Sequence, residues 1–205
     1  MHPQDCPAFE YSDHPDKSRF FPSAVDAVLR LLQGQASPLP LVMDTRPVHA
    51  QLFKDLCPAG CEYYAGHYRG EDFRCLRNYR VFIPGDSRVD APPSRVAHEM
   101  RELARLIRSS TAVIEAARNG EEKVFFSVAK ACRLFVDFLT IHPYANGNGH
   151  IARWLLAAFL RLHGYRLNRF QVDPRPADPP YSQMIYRYRN GEVELLERYV
   201  LSRLS

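Results

Sequence analysis

The sequence lacks any long hydrophobic run. Its longest apolar segment, residues 154–160, is far too short to cross a bilayer as a helix, and residues 1–9 have neither the charged start nor the apolar stretch of a signal peptide. A soluble, cytoplasmic chain with no membrane partner is therefore expected. Charge of one sign is also scarce: 27 Lys and Arg stand against 23 Asp and Glu, interleaved along the chain, which leaves a net charge of only +4. No basic stripe marks a nucleic-acid footprint, so no nucleic-acid partner is expected. Cysteines number five, an odd count without the spacing of a disulfide framework, which points to reduced thiols in a cytosol-like compartment. Cys57 and Cys61 are four residues apart, but His49 and His67 do not complete a recognisable metal-ligand spacing with them. Internal repeats, low-complexity tracts and linkers are absent as well.

What is present is helical periodicity. At 205 residues with ordinary globular composition, the chain is long enough for one domain with a sizeable core. Residues 1–21 mix Pro, Asp, His and Ser without period and read as an irregular arm; residues 22–205 read as one helical domain, with a core over about 94–164. Val25, Val28, Leu29 and Leu32 follow the spacing of an amphipathic helix opened by Pro22 and closed by Gly34. Asp44 or Thr45 can cap a second helix carrying Val48, Leu52 and Phe53. Val96, Met100, Leu103 and Ile107 predict another after Pro92-Pro93. Residues 122–141 predict a long helix that Pro143 must stop near His142, and residues 151–163 are apolar nearly all round, as in the central helix of a bundle. Two short helices follow a Pro-rich connection, with Tyr181, Met184, Ile185 and Tyr188 as the packing stripe of the first. The fold class is mainly α. One segment breaks the pattern: Leu76 to Ile83 is β-rich and ends at Pro84-Gly85, which predicts a short hairpin over about 76–84.

The chemistry is concentrated in His142-Pro143-Tyr144-Ala145-Asn146-Gly147-Asn148-Gly149-His150-Ile151-Ala152-Arg153. Gly147 and Gly149 around Asn148 permit positive φ, so successive amides can converge as a nest, and the helix that follows adds its positive dipole end. Phosphate suits such a site. Arg153 lies about one turn further on and can fork onto the same anion, while His142 is a candidate general base.

This string resembles the signature of the Fic family, His-Pro-Phe-x-Asp/Glu-Gly-Asn-Gly-Arg-x-x-Arg. It matches at His142, Pro143, Gly147, Asn148, Gly149 and Arg153, and Tyr144 replaces the Phe. The resemblance covers about residues 64–204 and implies a Fic-type helical bundle with a β-hairpin flap. It implies His142 as the catalytic base, Gly147, Asn148, Gly149, His150 and Arg153 around the phosphates of ATP or another nucleoside triphosphate, and transfer of AMP to a Ser, Thr or Tyr hydroxyl of a target protein. The flap residues Tyr79, Arg80, Val81, Phe82 and Ile83 would hold the target by strand addition. Two positions depart from the signature. Asn146 stands where an acidic residue holds Mg²⁺, and a neutral amide oxygen is the weaker ligand for a hard cation; His150 stands where the first Arg would be. These changes also leave open transfer of a different phosphate-containing group, or a catalytically silent partner-binding module. Thr111 to Ala116 half resembles the family's inhibitory motif, but Ala116 breaks it, so inhibition of that kind would come from a separate antitoxin-like chain.

Overall fold

The computed structural model describes residues 6–34, 36–83, 86–89, 91–118, 120–168 and 170–205. Among them are eight α-helices: α1 (Lys17–Gln33), α2 (Leu39–Met43), α3 (Arg46–Phe53), α4 (Pro93–Glu115), α5 (Gly120–Ile141), α6 (Asn148–Leu162), α7 (Tyr181–Arg189) and α8 (Glu194–Leu201). The mainly α fold is thus the one expected. α6 is the axis of the bundle, with α5, α1 and α2 packed around it. Its Trp154 is fully buried and donates Nε1–H to the Val28 carbonyl of α1 at 3.0 Å, satisfying the indole's one donor. No helix is long and apolar enough to cross a membrane among the described residues.

Three expectations need correction. α1 opens at Lys17, five residues before Pro22, and so enters the supposed arm. Pro22 cannot donate to the carbonyl four residues back, but that belongs to exposed Ser18, where water can satisfy it. The arm itself is ordered where it meets the core: Phe9 is buried between Tyr64 and Phe53, and the Tyr64 hydroxyl donates to the Pro7 carbonyl.

The second correction concerns the thiols. Cys6 and Cys75 form a disulfide, while Cys57, Cys61 and Cys132 are free. A separation of 69 residues carries no spacing signal; the pair exists because the arm folds back over the segment before Tyr79.

The β-hairpin flap is the third. Among the described residues 76–83 there is no strand, and the single isolated bridge joins Leu167 to Leu204. Pro84 and Gly85 lie outside the described residues. The Tyr79 carbonyl is taken by a buried arginine instead of a partner strand, and the residues beyond, Asp86 to Val89, form a turn rather than a return strand. Tyr79 is buried, Phe82 is 81% exposed, and Ile83 faces the cavity described next.

Candidate active site

The loop between α5 and α6 is shaped by groups from three directions. α5 ends at Ile141, and His142, at φ 53°, leaves the right-handed helical region that the following proline disfavours. Gly147 is the N-cap of α6 with φ 76°, and a Cβ there would lie 2.3 Å from the Phe53 ring; both backbone and neighbour demand glycine. Asn148 closes the loop on itself: Oδ1 accepts from the Tyr144 N–H at 2.9 Å, and Nδ2 donates to the Tyr144 carbonyl at 2.8 Å.

Two buried residues that the sequence did not single out as functional hold this loop. Arg69, 0% exposed, donates Nε–H to the His142 carbonyl at 2.8 Å and Nη2–H to the Ile141 carbonyl at 3.1 Å. The same guanidinium reaches the Tyr79 and Ala91 carbonyls, and its backbone N–H donates to Pro143. Carbonyls at the end of α5 carry the negative end of the helix dipole, which suits a buried cation. Its only sequence signal was its place in the Tyr68-Arg69-Gly70 run, which names no partner.

His49, fully buried, accepts the Gly66 N–H at Nδ1 (2.9 Å). That bond fixes the proton on Nε2, which donates to the Asn146 carbonyl at 3.0 Å, and the ring stacks on Tyr144 with centroids 3.8 Å apart. Burial pushes the His49 pKa down to about 3. His150 is pushed down to about 4, first by burial and then by Arg153, despite the Asp173 carboxylate at 3.1 Å. Both imidazoles are neutral when folded, whereas in the unfolded chain they titrate near 6.5. Stability is therefore complete above that value and falls as pH drops toward 4, because the unfolded state binds more protons there. A loss of about 5 kcal/mol between pH 7 and pH 4.5 is expected in urea denaturation, since each ring loses roughly 1.4 kcal/mol per pH unit over the two units below 6.5. A pH-flat stability over that range would contradict the burial of both rings.

The structure brings His142, Gly149 and Arg153 to one cavity of about 430 Å³ between the end of α5, the start of α6 and α7. His142 Nδ1 lies 3.3 Å from the Leu139 carbonyl, which can only accept, so the lone pair of the imidazole resides on Nε2. Arg153 is buried and donates Nε–H and Nη2–H to the Val172 carbonyl at 2.9 and 2.6 Å. Its Nη1 turns to Gly149, 3.2 Å from where a Cβ would be, so glycine admits the guanidinium to the helix N-terminus.

Gly147, Asn148, Asn146 and His150 do not line this cavity. The Asn146 carboxamide points to the arm, with Oδ1 accepting from the Gly147 N–H at 2.6 Å and Nδ2 donating to the Phe9 carbonyl at 2.5 Å. The residue is thus not presented as a metal ligand, and no cluster of three or more His, Cys, Asp or Glu side chains suited to a metal occurs among the described residues.

α7 supplies the opposite wall, through Tyr181, Ile185 and Arg189, so the stripe read as closing packing also faces the site. Asp86 fastens this wall. It accepts from Arg189 at 2.7 Å and Arg88 at 2.8 Å; the Arg88 bond above all, with Arg189 also contributing, holds its pKa down near 2. The buried Tyr181 hydroxyl makes no hydrogen bond of good geometry among the described residues, and burial raises its pKa, an effect Arg153 partly offsets. Such an orphan is suited to a ligand. Tyr181→Phe should leave the melting temperature almost unchanged and, if this cavity holds a phosphate ligand, weaken its binding by roughly 2–10-fold, the worth of one hydrogen bond, in a titration against wild type.

The bundle thus turns a histidine, a helix N-terminus and a buried arginine to one cavity, an arrangement suited to an anion. The Fic/DOC family model matches residues 43–160, more than half of the sequence, and the chain belongs to that family. Among solved structures it is similar to BepC, a VirB-translocated effector protein of Bartonella tribocorum, determined with bound AMPPNP. The two are 16% identical with a TM-score of 0.64, over 92% of this chain and 85% of that one, a likeness of fold. Comparison with curated proteins gives no match.

Proposed function

We propose that the protein is a Fic-type transferase that moves a nucleoside monophosphate, most directly AMP from ATP, onto a Ser, Thr or Tyr hydroxyl of a target protein. The observation that carries this reading is the shared cavity of His142, Gly149 and Arg153. The target oxygen attacks the α-phosphorus, the bond from that phosphorus to the bridging oxygen breaks, and pyrophosphate leaves. The hydroxyl proton passes to Nε2 of His142. The Gly149 end of α6 and Arg153, which share the cavity with His142, hold the phosphate charge that builds during transfer. BepC, whose structure holds AMPPNP, shares the fold, which favours an adenine nucleotide.

The Mg²⁺ implied by the family signature does not fit position 146 as it stands, and no step is drawn through it. The same observation favours a second reading, transfer of another phosphate-containing group. The target would approach past residues 79–83, and a separate inhibitor chain would be needed for antitoxin-like control. The test is to incubate the protein with cell lysate and each labelled nucleotide or phosphate donor, beside a variant lacking the His142 imidazole. Label that appears on a protein only with wild type supports transfer. No label from any donor overturns it in favour of a non-catalytic partner-binding module.

A further inference from the structure

Both departures from the family signature face the same way. Asn146 donates to the Phe9 carbonyl at 2.5 Å and to Glu10 Oε2 at 3.1 Å, while its own oxygen is taken by the Gly147 N–H. Those three contacts fix the carboxamide orientation: the NH₂ must face the arm, because a carbonyl and a carboxylate can only accept. His150 sits with its ring edge-on to Tyr11, Phe21 and Phe53, at 5.5, 5.3 and 6.0 Å, and its Nε2 lies 3.5 Å from the Tyr11 hydroxyl and 3.1 Å from Asp173. An imidazole fits this aromatic box. The arm is held in place independently by the Cys6–Cys75 disulfide and by Phe9 in the core. Among the described residues, Arg153, Arg175 and Arg189 line the cavity against one carboxylate, Asp86, which two arginines already engage. Cationic charge for phosphate is thus supplied by side chains.

We propose that Asn146 and His150 are positioning residues that dock residues 9–11 against the motif loop, and that the phosphate ligand binds with no divalent cation held at position 146. The second half rests on the nucleotide reading above; the first does not. An aspartate at 146 would set a carboxylate against the Phe9 carbonyl and the Glu10 carboxylate, replacing two donor contacts with two repulsions.

The test begins with ligand-free thermal melts. Asn146→Asp is expected to lower the melting temperature by roughly 5 °C or more, Asn146→Ala by less, and the double variant Glu10→Gln with Asn146→Asp to recover part of the loss, since the glutamine amide can donate to the new carboxylate. An Asn146→Asp protein as stable as wild type overturns the docking role. Titration with AMPPNP then tests the cation. Wild type is expected to bind within about two-fold in EDTA and in excess Mg²⁺, and Asn146→Asp to gain no metal dependence. Binding that requires Mg²⁺, or a ten-fold Mg²⁺-dependent gain in Asn146→Asp, overturns the metal-free site. Absence of AMPPNP binding in both buffers counts against the nucleotide reading, and with it this second half, while the melts still decide the docking.

Discussion

On the proposed transfer, His142→Ala is expected to lower the single-turnover rate by roughly 10²–10⁴, the usual worth of a positioned general base, and to leave AMPPNP affinity within about two-fold of wild type. The expectation follows from what the imidazole touches. Nδ1 faces the Leu139 carbonyl and the ring opens on the cavity, whereas the backbone of residue 142 is held by Arg69 and Phe138 whatever side chain it carries. His142 already carries the left-handed strain at φ 53°, so alanine there adds less than about 1 kcal/mol, which is small beside the loss in rate. His142→Asn separates the two effects, because asparagine tolerates the left-handed region and cannot act as a base at neutral pH. Both variants should lose transfer alike. A His142→Asn protein that keeps a tenth or more of the wild-type rate would remove His142 from the proton transfer.

Arg69→Met should cost about 3–5 kcal/mol in urea denaturation, because several buried carbonyls lose a charged donor at roughly 1–3 kcal/mol for each group left unsatisfied. The methionine fills much of the space, so the loss reports the carbonyls of Ile141, His142, Tyr79 and Ala91 left without their donor. Arg69→Lys retains the charge but gathers its three donors at one point, where the guanidinium spreads five across a plane, and should recover less than half of the stability. Transfer should fall in both variants beyond what the unfolded fraction explains, since His142 would lose the bond that sets its backbone. A loss below about 1 kcal/mol for Arg69→Met would mean that water replaces the clasp and that the loop is self-supporting.

These residues also mark how far the sequence could be read. α3, α4, α5, α7 and α8 were legible because each carries an apolar stripe at helical spacing, and α6 because it is apolar nearly all round; both are local signals that survive without knowledge of partners. The motif loop was legible because glycine, proline and asparagine constrain the backbone where they stand. Gly147 illustrates the limit: its positive φ could be anticipated, but the Phe53 ring that independently excludes a side chain could not. The supposed flap failed for a related reason. Its β-rich composition described a segment able to pair, yet the Tyr79 carbonyl was claimed by Arg69, ten residues earlier and buried.

By itself, then, the sequence determined a mainly helical chain, the place of its glycine-rich loop between two long helices, and the presence of His142 and Arg153 at the two ends of that loop. Only the tertiary structure decided that Asn146 and His150 serve the arm, that Arg69 and His49 hold the loop, that α7 walls the cavity and that Cys6 meets Cys75. The physical reason is one of range. Periodicity and turn chemistry act between residues a few positions apart, whereas a buried hydrogen bond joins whichever donor and acceptor the packed helices bring within about 3 Å, and that meeting leaves no trace in the spacing of either partner.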